Sequence, residues 1–141
     1  MAGRATAFVL DSFALLAYLG GEPGMPKVRA ALEAAEAGQA AVYVSLINLG
    51  EVLYITEREH GLMHAQRVLA AVDLLPLAIL PVTRPTVLGA AHVKARFALS
   101  YADAFAVVAA QDNDAHLLTG DPEFAPVAEA GIVVIDWLPQ R

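Results

Sequence analysis

The chain contains no cysteine, so it forms no disulfide and offers no thiolate to a metal. Positive charge is scarce: nine Lys and Arg stand against fifteen Asp and Glu, a net charge of −6 with histidine neutral. That balance excludes a broad electrostatic pull toward nucleic acid; any such contact needs a local basic patch or bound cations. Charged residues make up only 17% of the chain and aromatics 7%, whereas 57% of its 141 residues are hydrophobic. Such a composition argues against disorder and suits one domain, residues 1–141, with a substantial core. Apolar runs long enough to span a membrane are also missing, because LMHAQRVLAAVDLLPLAIL is broken by Arg67, Asp73 and Pro76. Arg4 and the apolar run after it have the look of a secretory leader. Asp11 interrupts that run, however, and no small-x-small cleavage site follows. The expectation is a soluble cytoplasmic protein with no membrane partner. No P-loop or G-x-G-x-x-G is present to suggest nucleotide binding.

What is there alternates. Ala7 to Leu10 reads as a short buried strand ending at Asp11, followed by a helix from Ser12 to Leu19 that stops at Gly20-Gly21. EPGMP makes a turn into the helix KVRAALEAAEAG. AVYV is a second strand, and Ser45 caps the helix LINLGEVLYITEREHG. LMHAQRVLAAVDLL is helical, LAILPV is a third strand, and Arg84 to Leu99 and YADAFAVVAAQDND are further helices. AHLLTG, a short helix PEFAPVAEAG and a last strand IVVID complete the chain. The strands are too apolar to leave one face in water. The pattern implies an α/β fold, a central parallel sheet of about five strands between two layers of helices.

Four carboxylates stand out against this background. Asp11 ends the first strand, Glu51 lies in the helix after the second, Asp103 opens a helix, and Asp121 follows the fourth strand. Ligand sites in open α/β sheets lie beyond the carboxyl ends of the strands. Each acid also has a plain explanation. Asp11 and Asp121 suit helix caps, Asp103 lies three residues after Ser100 and favours the helix dipole, and Glu51 can be salt-bridged or partly exposed. Taken together they are harder to explain away. Two unit charges about 4 Å apart repel by about 4 kcal/mol at an effective dielectric of about 20. Converging carboxylates therefore need protons or a cation, and hard divalent ions such as Mg²⁺ or Mn²⁺ suit oxygen ligands.

The segments VLDSFALLAYL, SLINLGEVLY, LSYADAFAVVAA and LLTGDPEF, in this order and spacing, resemble PIN-domain ribonucleases, most closely the VapC-type toxins of toxin–antitoxin pairs. The resemblance implies a three-layer α/β/α sandwich and Mg²⁺- or Mn²⁺-dependent cleavage of RNA phosphodiester bonds by metal-activated water. It places the catalytic and metal-binding acids at Asp11, Glu51, Asp103 and Asp121. It places supporting hydroxyls at Ser12 and Thr119, which also suit simple turns or caps. Asn48, one helical turn before Glu51, is expected to orient that carboxylate by a side-chain hydrogen bond. The family also implies a small cognate antitoxin and a homodimer, which would use the abundance of apolar residues in FALLAYL, LINLGEVLYI and VLAAVDLL, although a well-filled core also accounts for them. An amphipathic antitoxin helix would lie in an apolar groove and present a basic side chain to the acids.

Weaker signals and rival readings complete the sequence. Arg84, Lys94 and Arg96 share one helix and are candidate RNA-phosphate contacts, although ordinary surface charge explains them better. His60 and His64 make a poor zinc pair because Gly61 lies between them, and Asp112 and Asp114 lack the glycine and distal Glu of a calcium loop. A non-catalytic PIN-like interaction module is the alternative function. An aspartyl-phosphate phosphotransfer protein is a third: a strand followed by Asp11 fits, but Phe13 stands where a dehalogenase-like phosphatase wants its second Asp.

Overall fold

The computed structural model describes residues 6–141. Arg4, the basic residue of the leader-like segment, lies outside them. Five strands, β1 (Thr6–Leu10), β2 (Ala40–Ser45), β3 (Ala78–Leu80), β4 (His116–Thr119) and β5 (Ile135–Trp137), form one sheet in the order β3-β2-β1-β4-β5. Every neighbouring pair is parallel. The alternation of the pleat explains why the strands are apolar throughout. Val9 and Leu117 point into one buried cluster, while their neighbours Leu10 and Leu118 point into the other. The sheet is thus covered on both sides, as expected from the sequence.

Helices α1 (Ser12–Leu19), α2 (Met25–Glu36), α3 (Leu46–His60) and α4 (Leu62–Asp73) supply the cluster around Leu10, Val42 and Val44. Helices α5 (Arg84–Arg96) and α6 (Tyr101–Asp112) cover the opposite face with the short α7 (Ala125–Glu129). From Asp103 to Ala110 every residue of α6 is buried, which accounts for a helix apolar on all sides: it is enclosed in the core. Ser45 caps α3 by accepting from the Ile47 amide at 3.2 Å. Gly61 ends that helix at a φ of 91°, which favours glycine.

Two boundaries differ from the sequence reading. Helix α5 stops at Arg96 rather than Leu99, because Phe97 is extended at φ −132° and Lys94 Nζ reaches forward to the Leu99 carbonyl at 2.9 Å. The last strand begins at Ile135 rather than Ile132. Its register with β4 runs from Leu117↔Ile135 to Thr119↔Trp137, and Val133 drops into the core before the strand starts. PEFAPVAEAG is a 3₁₀ turn, Pro122–Phe124, leading into α7, with Phe124 fully buried as its anchor.

The strand order positions the site. The chain moves outward from β1 through β2 to β3, then crosses back to β4 and β5 on the other side of β1. The reversal falls between β1 and β4, and a crevice opens beyond their carboxyl ends, Leu10 and Thr119. Among the described residues, no helix is long and apolar enough to cross a membrane.

Candidate metal centre

Asp11, the residue after β1, is 2% exposed. Its Oδ1 accepts from the Ala14 amide at 2.8 Å and so caps α1, while its Oδ2 accepts from Thr119 Oγ1 at 2.5 Å. The helix-cap reading of Asp11 is therefore correct, but it accounts for only one of the two oxygens. Thr119, fully buried at the end of β4, also accepts from the Asp121 amide at 3.0 Å, so one hydroxyl ties Asp11 to the turn carrying Asp121. Asp121 caps the 3₁₀ turn by accepting from the Glu123 amide at 2.9 Å. Ser100 caps α6 through the Asp103 amide at 3.1 Å, which sets Asp103 at the mouth of the same crevice.

These elements close around a cavity of about 260 Å³ lined by Asp11, Glu51, Asp103 and Asp121. All four expected acids converge there. Asp103 and Asp121 are joined by Glu123, which the sequence reading did not single out. One oxygen from each of these three lies within 4.8 Å of the other two. Asp11 and Glu51 line the cavity outside that trio. Phe13, Leu16 and Ile55 give it an apolar side, and Arg141 is the basic residue on its wall.

Burial pushes the Asp11 carboxyl up from 3.8 to about 7; Thr119 and Ala14 oppose the shift by hydrogen bonding, while Asp103 and Asp121 add to it by repulsion. Burial likewise raises Asp103 to about 6, opposed by a hydrogen bond from Ser100 and reinforced by Asp121, Glu51 and Glu123. The mutual repulsion anticipated from spacing is thus present in the fold. Such a cluster of oxygen donors fits a hard divalent cation, which removes the repulsion and favours the ionised forms.

A model of the PIN domain matches residues 8–130. The chain belongs to the PIN domain family. No curated protein shows a significant sequence match to it. Among solved structures, its fold resembles VapBC2 from Rickettsia felis bound to a promoter DNA fragment, with 14% identity, TM-score 0.75, and 95% of this chain and 100% of that one covered. The DNA-bound VapBC of Salmonella typhimurium aligns at 19% identity and TM-score 0.69, covering 93% and 97% of the two chains. VapC20 of Mycobacterium tuberculosis, described as a sarcin–ricin loop cleaving toxin, aligns at 18% identity and TM-score 0.66, covering 86% and 95%.

Within this PIN domain the supporting polar residues are partly where the sequence placed them. Ser12, buried at the start of α1, donates to Glu51 Oε1. Asn48 does not bond Glu51 as expected. Its amide reaches the Ala102 carbonyl at 3.2 Å and Ser12 Oγ at 3.4 Å, so it acts on Glu51 only through Ser12. One helical turn before Glu51, Asn48 faces inward and is fully buried, and from there it joins α3 to α6. Arg84, Lys94 and Arg96 do not line the cavity. Lys94 is engaged by the Leu99 carbonyl at 2.9 Å, and the Arg96 guanidinium lies over the Phe97 ring, 5.2 Å from its centroid. His60 and His64 meet ring to ring, 5.2 Å between centroids, with no third metal-binding side chain close enough to complete a site among the described residues.

Proposed function

We propose that this PIN domain is a Mg²⁺- or Mn²⁺-dependent endoribonuclease and the toxin of a type II toxin–antitoxin pair. The observation that carries the reading is the convergence of Asp11, Glu51, Asp103 and Asp121, with Glu123, on one cavity at the sheet's switch point. Asp103, Asp121 and Glu123 would hold the cation, with Asp11 and Glu51 completing its surroundings. The bound ion would supply Lewis-acid polarisation of a phosphodiester and a lowered pKa for attacking water. The chain's own residues hold the acids in place. Thr119 fixes the Asp11 carboxylate by donating to Oδ2, and Ser12 does the same for Glu51. Phe13, Leu16 and Ile55 make one side of the cavity apolar. Among the described residues no His or Lys lines it, so the carboxylates are the bases on its walls.

The antitoxin partner is supported by the fold's likeness to VapBC complexes. A groove of about 470 Å³ adjoins the acidic cavity, sharing Leu16, Ile55 and Arg141 with it, and Leu19 and Val68 extend its apolar lining. An amphipathic antitoxin segment would seat there. We also propose a homodimer covering the exposed Leu62, Met63 and Leu74, which sedimentation of the isolated protein would test. Cleavage of an RNA oligonucleotide with Mg²⁺ or Mn²⁺, its loss in EDTA, and its loss in folded Asp103→Asn test the nuclease. No cleavage in any divalent ion would leave the interaction module as the better reading, and cleavage that survives EDTA would refute the metal centre.

A further inference from the structure

A nuclease of net charge −6 must hold an RNA phosphate beside a cluster of carboxylates. The bound cation offsets part of that repulsion; a fixed positive side chain at the cavity would offset more. The helix carrying Arg84, Lys94 and Arg96 supplies none. Arg141 does. It lies on the wall of the acidic cavity and also on the wall of the adjoining groove, so it stands where the two meet. Its position is built. Nε lies 2.8 Å from Glu22 Oε2 in the loop after α1, and that carboxylate is three-quarters buried. Among the described residues no hydrogen bond takes the two terminal nitrogens of the guanidinium, and the side chain is 59% exposed. A planar fork anchored through Nε and open at both Nη atoms matches the geometry of a phosphate.

We infer that Arg141 binds the RNA backbone phosphate adjoining the scissile one, and that Glu22 is the positioning residue that aims it. This rests on the nuclease reading above. Phosphate contacts set register and affinity without reading sequence, so the contact acts on RNA in general.

The test uses the full chain and a fluorescently labelled single-stranded RNA oligonucleotide. Arg141→Ala should raise KM about tenfold with kcat nearly unchanged, in the range of one lost charge-assisted contact. Binding of the same RNA to the uncleaving Asp103→Asn protein should weaken equally, and the slope of log affinity against log salt should fall by about one when Arg141→Ala is added. Arg141→Lys should recover part of the loss. Glu22→Gln, which keeps the positive charge but weakens its anchor to a neutral hydrogen bond, should raise KM less than Arg141→Ala does. An unchanged KM and salt slope in Arg141→Ala would overturn the inference. So would a variant whose only change is tighter Mg²⁺ binding by calorimetry, since Arg141 would then be a counter-ion of the acids. If wild type cuts no RNA, the nuclease reading fails by itself. The binding comparison still decides whether Arg141 contacts phosphate, and equal RNA affinity with and without it refutes that contact.

Discussion

Replacing Asp11 by Asn should stabilise the metal-free protein at alkaline pH. In the folded chain burial holds the Asp11 carboxyl at about 7, against an ordinary 3.8. The folded state thus keeps its proton where the unfolded state gives it up. The stability this contributes is complete below the unfolded value and is lost as pH rises through about 7. At pH 8 the loss is on the order of 4 kcal/mol, from roughly three pH units at about 1.4 kcal/mol each. Asparagine does not ionise and escapes this. Its Oδ1 can still accept from the Ala14 amide, but its NH₂ would face the Thr119 hydroxyl, which must turn its proton away, a cost of about 1–2 kcal/mol. In urea titrations in EDTA, Asp11→Asn should therefore be roughly equal to wild type or slightly less stable at pH 4, and more stable by about 2–3 kcal/mol at pH 8. Saturating Mg²⁺ should reverse the order, because it binds the acids of wild type and stabilises the folded state. The comparison between the two proteins cancels the titration of groups that do not interact with Asp11; Asp103 and Asp121, which repel it, respond to the substitution as well. A difference that stays constant from pH 4 to 8 would show that Asp11 is not held under electrostatic stress, and the reasoning would fail.

Further changes probe the parts that hold the acids. Thr119→Val removes the hydroxyl linking Asp11 to the Asp121 turn, and should weaken Mg²⁺ affinity by roughly tenfold or more in calorimetry while the far-ultraviolet circular dichroism stays native. Glu123→Gln removes one of the three closest carboxylates, so Mg²⁺ binding should weaken measurably; unchanged binding would take Glu123 out of the centre. A Cβ at Gly120 would collide with the Phe13 ring, so Gly120→Ala should cost about 1–3 kcal/mol in chemical denaturation and lower cleavage by displacing the neighbouring Thr119 and Asp121.

Much of this could be read from the residues because local and global signals agree. Strands that feed opposite faces must be apolar at successive positions, and Val9-Leu10 and Leu117-Leu118 are. The acids at the strand ends were legible for a related reason: a polar residue closing an apolar strand marks the sheet's edge. What was hidden depends on three-dimensional detail. Glu123 looks like an ordinary charge in a helix start; only the 3₁₀ turn after Asp121 brings its oxygen beside that of Asp103. Arg141 lies far along the chain from Glu22, and no periodicity links them. The helical spacing of Asn48 to Glu51 suggests a direct bond, and nothing in the sequence shows that Asn48 is fully buried. Its fully buried amide instead donates to Ser12 Oγ and to the Ala102 carbonyl. Lys94 shared a helix with Arg84 and Arg96, yet the early end of α5 turns it to a local carbonyl.

The central claim is that separated acids meet in order to share a cation. Crystals grown with Mn²⁺ and measured for its anomalous scattering test it most directly. A manganese peak bonded to carboxylate oxygens of Asp103 and Asp121 is expected within the cavity that Asp11 and Glu51 also line. A saturated crystal with no peak there, or with manganese bound only elsewhere on the surface, would contradict it.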